Sequence, residues 1–315
     1  MNAFEEVAAQ QGTALPVERG FPIIRGEVTT PSGVRLCYEV AGDADRPVIV
    51  FANGIGVDIP GATSQREALA KRYRFLTWAY RGIGRSLVPH SEVDVSMEQH
   101  AEDLERILDA LHIERALLVG WSMGSQVNLE LIRRQPARAA GYVALLGAAG
   151  RPFRGPFPAP IDRAARHLFS LLAAYPSPAQ AALDLAVTLP DVAFQVLSLA
   201  AFVGRDVDRV VFEHNVRSVQ AADRRLYLRT MVALADHDAS DVLPLVRCKS
   251  LVIAGTRDTM TPPRMAKELA SALPDSDYRE VPGGTHFAPI EQPGLINGWL
   301  LDFADEVFAP VVVAR

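Results

Sequence analysis

The chain has 315 residues, 49% of them hydrophobic and 22% charged, so it is long and apolar enough to bury a large core. Its net charge of −5 is the wrong sign for nucleic acid or an anionic membrane surface, and its two cysteines, Cys37 and Cys248, are too few and too far apart for a zinc cluster or a disulfide framework. No apolar run reaches the ~18 residues that a membrane helix needs and residues 1–20 lack the pattern of a secretory leader, so a soluble, cytoplasmic protein is expected, with small neutral molecules as partners.

Residues 1–25 show no periodicity and are expected to form an N-terminal arm. Glu27 to Thr30, a Pro31-Ser32-Gly33 turn and Val34 to Val40 then alternate like an antiparallel hairpin. Pro47 to Ala52 is a continuous apolar run, as in a parallel strand covered on both faces, and it empties into Asn53-Gly54-Ile55-Gly56. Ser64 to Arg72 predicts a short helix. Arg74 to Tyr80 predicts a second buried strand, which runs into Arg81-Gly82-Ile83-Gly84-Arg85-Ser86. Ser96 and Gln99 form a capping box ahead of Leu104, Ile107, Leu108 and Leu111 at helical spacing. Arg115 to Val119 and Gly141 to Leu146 predict two more buried strands, with a helix from Ser125 to Arg134 between them.

At Gly150 the text changes. Residues 151–160 hold four prolines and two phenylalanines, and a helical pattern without strand alternation follows. Residues 151–236 are therefore expected to be a helical cap inserted into a core formed by 26–150 and 237–315. Lys249 to Gly255 resumes the sheet, a helix spans Met265 to Leu273, Tyr278 to Val281 is a last strand, and a closing helix carries Ile296, Trp299, Leu300 and Phe303. Strand alternating with helix predicts an α/β fold with a mostly parallel sheet and helices on both faces.

Gly120-Trp121-Ser122-Met123-Gly124 lies between a predicted strand and a predicted helix, the context that turns Gly-x-Ser-x-Gly into a nucleophile elbow. A serine nucleophile needs a base within hydrogen-bond reach and a third group to orient that base, all at the end of the sheet where strands run into helices. Asp258 follows the strand at Lys249 by a short loop, and His286 follows the last strand. The other six histidines, His90, His100, His112, His167, His214 and His237, fall in predicted helices, the cap or its exit, where surface or structural roles account for them. Asp236, His237, Asp238 and Asp241 could suggest a metal cluster, but such residues ordinarily cap helix ends, and neither metal nor cofactor is assigned.

Four motifs, Gly120 to Gly124, Arg81 to Ser86, Gly255-Thr256-Arg257-Asp258-Thr259-Met260-Thr261-Pro262 and Gly284-Thr285-His286-Phe287, occur in an order that resembles the α/β-hydrolase superfamily, in its capped esterase-like branch. The resemblance runs from about Gly26 to Phe308. It implies Ser122 as nucleophile, His286 as base and then acid, Asp258 as its orienter, and the backbone amides of Met123 and Ile55 as the oxyanion hole. Two positions depart from the family pattern: Asn53 stands where a histidine is usual, and Ala79-Tyr80 replaces an acidic residue ahead of the Arg-Gly motif. A serine at the elbow disfavours dehalogenase and epoxide hydrolase chemistry, which need a carboxylate there. The expectation is a carboxylic ester hydrolase acting on small to medium apolar esters, with Asn53, Trp121, Phe153 and Phe157 as substrate-binding candidates. A lactonase or carbon–carbon bond hydrolase with the same three residues, and a slow-turnover ligand receptor of the same fold, are the alternatives.

Overall fold

Val48–Ala52 (β4) is five buried residues in a row, and successive side chains serve opposite faces: Val48, Val50 and Ala52 join one core cluster, Ile49 and Phe51 another. The computed structural model describes residues 20–90, 92–151 and 209–309, together with Val17, Glu18, Asp191, Phe194, Gln195, Ser198, Val203, Gly204 and Val207. The other strands are Val17–Glu18 (β1), Phe21–Thr29 (β2), Arg35–Ala41 (β3), Arg74–Trp78 (β5), Ala116–Trp121 (β6), Ala139–Leu145 (β7), Lys249–Gly255 (β8) and Ser276–Val281 (β9). Among the described residues they form one sheet in the order β1-β2-β3-β5-β4-β6-β7-β8-β9. Pairing is antiparallel from β1 to β5 along that order and parallel from β5 to β9.

The two core clusters are the two faces of this sheet. One takes Leu104 and Ile107 from the helix Met97–Ala110, Leu131 from the helix Met123–Arg134 and Leu269 from the helix Pro263–Ala272. The other takes Leu69 from the helix Thr63–Leu69 and Ile296, Leu300 and Phe303 from the helix Pro293–Val307. The Ser96 hydroxyl accepts from the Gln99 amide at 3.2 Å, but the Gln99 side chain reaches Glu102 rather than closing the reciprocal half of the capping box. No described helix is long and apolar enough to cross a membrane.

The sheet begins earlier than the sequence suggests. β2 starts at Phe21, and Phe21 and Ile23 are buried in the same cluster as Ala41 and Phe75, so residues 21–25 belong to the sheet and not to an arm. Pro22 hides this in the sequence, since proline argues against a strand except near an edge, where β2 lies. Between β7 and β8 the chain leaves the sheet. The helices Arg209–Ala221 and Arg224–Asp236 in that interval pack against the loops that follow β4 and β5: Ser218 Oγ donates to the Gly56 carbonyl at 3.1 Å, and the Asp223 amide donates to the Gly82 carbonyl at 3.3 Å.

Candidate active site

Ser122 stands at the junction of β6 and the helix Met123–Arg134 with φ 54° and ψ −117°, a conformation that costs a non-glycine residue on the order of 1–3 kcal/mol. The surroundings leave it no alternative. Its amide donates to the Leu145 carbonyl at 2.9 Å, and Ser125 Oγ donates to the Gly120 carbonyl at 2.7 Å. Gly120 and Gly124 are required for close approach rather than for positive φ, which neither has. A Cβ at Gly120 would lie 2.4 Å from backbone atoms of Gly124 and Ser125, and one at Gly124 would lie 2.1 Å from the Ala52 carbonyl oxygen.

The structure brings the three predicted side chains together. His286 Nε2 is 2.8 Å from Ser122 Oγ, and His286 Nδ1 is 2.8 Å from Asp258 Oδ2. Asp258 and His286 are 3% and 5% exposed, so the contact between them is shielded from water. Burial alone would raise the Asp258 carboxyl, but the charge and hydrogen bond of His286 outweigh it, aided by Thr261, and hold the group below the usual carboxylate range. Asp258 Oδ1 accepts from the Met260 and Thr261 amides at 2.8 and 2.9 Å, the turn expected of an aspartate that folds back on its own loop. The Thr261 hydroxyl lies 2.8 Å from Asp258 Oδ2 and 2.9 Å from the Leu146 carbonyl, tying this loop to the end of β7.

Ile55 and Met123 both border the space above Ser122, and no described group accepts a hydrogen bond from either backbone amide. Met123 opens a helix of 12 residues, so its amide also carries the positive end of a helix dipole. The loop bearing Ile55 packs closely: a Cβ at Gly54 would sit 3.5 Å from the Ser122 Cβ.

The two departures from the family pattern are bonded to each other, which no local signal in the sequence could reveal. Tyr80 Oη donates to the Asn53 carbonyl at 3.0 Å, and Asn53 Nδ2 donates to Thr77 Oγ1 at 3.2 Å. Asn53 is fully buried between β4 and β5 and supports the Ile55 loop from beneath; it does not line the cavity, which corrects its assignment as a substrate-binding residue. The Arg81 to Ser86 motif is likewise structural. The Arg81 guanidinium forms a buried two-point ion pair with Asp103 at 2.5 and 2.7 Å, and Gly82, at φ 73°, leaves room for Leu226 of the helix above.

Trp121 lines the cavity, and its Nε1 donates to the His286 carbonyl at 3.1 Å, a contact the sequence did not disclose. Glu291 accepts from the Thr285 amide at 3.0 Å and from the Thr285 hydroxyl, bracing the residue before His286. Phe153 and Phe157 lie outside the described residues. Of the residues that could suggest a metal cluster, His237 lies between Gln126 and Glu130, Asp241 pairs with Arg133, and Asp238 Oδ1 accepts from the Ser240 amide.

A cavity of about 240 Å³ opens beside Ser122 and His286. Its described walls include Val57, Phe212, Val216, Val219 and Phe287, and no Lys, Arg, Asp or Glu is among its described lining residues. Burial pushes the Tyr227 phenol, which also lines it, up to about 12, so that group is a neutral hydroxyl at physiological pH.

A sequence profile of the alpha/beta hydrolase fold family matches residues 47–293. A protein of Caulobacter segnis named "Putative carbamate hydrolase RutD" is 26% identical over 280 residues, which span 88% of this chain and 99% of that one. Among solved structures, the enol-lactonase from Burkholderia xenovorans LB400 is 25% identical, with 89% of this chain and 99% of that one covered and a TM-score of 0.72. A thermophilic esterase from Thermogutta terrifontis is 21% identical and shares the fold at a TM-score of 0.71, with 90% and 99% covered.

Proposed function

This chain belongs to the α/β-hydrolase fold family, and from that premise we propose that it is a serine hydrolase of uncharged, largely apolar carboxylic esters, working through an acyl-Ser122 intermediate. The observation that carries the reading is the unbroken contact from Ser122 Oγ through His286 to Asp258, each step 2.8 Å, opening into a cavity whose described lining residues include no Lys, Arg, Asp or Glu.

In this reading His286 Nε2 takes the Ser122 proton as Oγ attacks the ester carbonyl, and Asp258 stabilises the imidazolium through Nδ1. The amides of Met123 and Ile55 receive the negative oxygen of the tetrahedral intermediate. Collapse breaks the ester carbon–oxygen bond, and His286 returns the proton to the leaving alcohol. Water then repeats the sequence on the acyl-enzyme: it loses a proton to His286, attacks the carbonyl and releases the acid, while Ser122 regains its proton. The strained, pinned backbone at Ser122 serves this chemistry because the nucleophile needs no reorganisation before attack. Much of the proposed helical cap, residues 151–236, lies outside the described residues; its described helices Arg209–Ala221 and Arg224–Asp236 bring Phe212, Asn215, Val216, Val219 and Tyr227 to the cavity wall.

The test is labelling with a fluorophosphonate probe together with a panel of p-nitrophenyl esters and lactones. Ser122→Ala is expected to lose labelling and at least about 10³-fold in turnover while keeping its circular dichroism spectrum. Retention of more than a few per cent of activity would remove Ser122 from the nucleophile role. The enol-lactonase likeness makes cyclic esters a second substrate class for the same residues, and faster turnover of lactones than of open esters would favour it. Labelling without turnover of any ester would point to a ligand receptor.

A further inference from the structure

Phe212, Asn215, Val216 and Val219 recur at i, i+3, i+4 and i+7 along the helix Arg209–Ala221, and all four line the cavity beside Ser122. Three are apolar, as a face turned toward an apolar space should be. Asn215 is not. It is 5% exposed, and neither its Oδ1 nor its Nδ2 has a hydrogen-bond partner among the described residues. A buried carboxamide with no partner among the described residues is unfavourable relative to an apolar group of the same size, and the cavity that Asn215 borders is a place from which a partner can reach it. The facing backbone makes room for it: a Cβ at Gly61 would lie 2.9 Å from Asn215 Oδ1.

We propose that Asn215 is a specificity-determining residue that binds a neutral hydrogen-bonding group of the substrate, a carboxamide or hydroxyl, held away from the scissile carbonyl by an apolar stretch. This rests on the hydrolase reading of the same cavity. A carboxamide side chain offers one acceptor and two donors, which match a partner that both donates and accepts. A neutral group fits, because the described lining residues include no Lys, Arg, Asp or Glu to pair with a buried charge. Discrimination should be strong for the same reason: a site that holds a polar group ready rejects an apolar analogue by leaving that group unpaired.

The experiment compares a graded series of ω-carbamoyl ethyl esters, each paired with the isostere in which isopropyl replaces the terminal carboxamide. For the chain length that fits, kcat/KM should favour the carbamoyl ester by about 10-fold or more, and Asn215→Leu should reverse the preference. Asn215→Ala, which removes the amide without adding bulk, should abolish it, and it serves if the leucine variant does not fold. An absence of preference at every length, or an equal loss on both members of each pair, overturns the assignment. Fluorophosphonate labelling and ethyl acetate turnover by the unaltered protein report on the hydrolase reading separately. If both are absent, calorimetric binding of the same pairs to Ser122→Ala, with and without Asn215→Leu, still decides the role of Asn215: it stands if the carbamoyl member binds tighter by about 10-fold only when Asn215 is present, and falls otherwise.

Discussion

The floor of the cavity and the helix above it are held in place by different means. On the floor, the polar groups of the proposed machinery are mutually bonded: Ser122 to His286, His286 to Asp258, Asp258 to the Met260 and Thr261 amides, and the His286 carbonyl to Trp121 Nε1. Above it, the helix Arg209–Ala221 turns Phe212, Val216 and Val219 toward the same space, and Asn215 among them has no partner among the described residues. The floor is anchored to the β-sheet, where a shift of one side chain disturbs several hydrogen bonds. The helix presents side chains that can change in size or polarity without altering any strand. Chemistry that depends on tenths of an ångström sits on the first kind of support, and selection among substrates can sit on the second.

The comparison breaks most readily at Asp258. Asp258→Asn keeps the size of the side chain but removes the anion and allows the wrong imidazole tautomer, so kcat should fall by up to about 10⁴-fold with KM little changed. Asp238→Asn and Asp241→Asn, which alter carboxylates bonded to Ser240 and Arg133, should stay within a few-fold of the unaltered enzyme. A near-normal Asp258→Asn beside an inactive, folded variant at either other position would move the orienting role there.

Beneath the floor lies one titratable group without a partner. His100 is fully buried against the Tyr80 ring at 4.9 Å, and Tyr80 in turn holds the Asn53 carbonyl under the Ile55 loop. Burial, with a smaller contribution from the Arg81 charge, pushes His100 down from 6.5 to about 3. A histidine depressed in the folded state binds its proton more readily when unfolded, so stability is intact above pH 6.5 and declines as pH falls toward 3. The loss should approach roughly 1.4 kcal/mol per pH unit within that window. Urea denaturation across pH should give His100→Leu a shallower decline than the unaltered protein, and identical slopes would show that His100 does not titrate this way.

The smallest effect belongs to the helix above. Val219 is half-buried on the cavity wall, and Val219→Ala should lower kcat/KM by up to about 10-fold on an ester that fills the space, through KM, with kcat and melting temperature nearly unchanged. A fall in kcat of the size expected for Asp258→Asn would erase the distinction between floor and helix.

Most of the frame was legible because it is written locally. Val48–Ala52 and Ala116–Trp121 are buried strands that read as apolar runs, the elbow is a serine between glycines, and Asp258 and His286 each follow a strand by a short loop. Such features involve neighbours within a few residues, where a period of two or of 3.6 and the demand for small residues at tight turns leave a mark in the text. Tertiary structure decided the rest. It inserted β5 between β3 and β4, extended the sheet back to Phe21 through a proline, and turned Asn53 from a presumed substrate contact into a support bonded to Thr77 and Tyr80. It also brought Trp121 to the carbonyl of His286, 165 residues away in sequence, and set Asn215 over Ser122. Those pairings depend on how helices and strands pack across the whole chain, and packing distance, unlike periodicity, leaves no repeat among neighbouring residues from which it could be read.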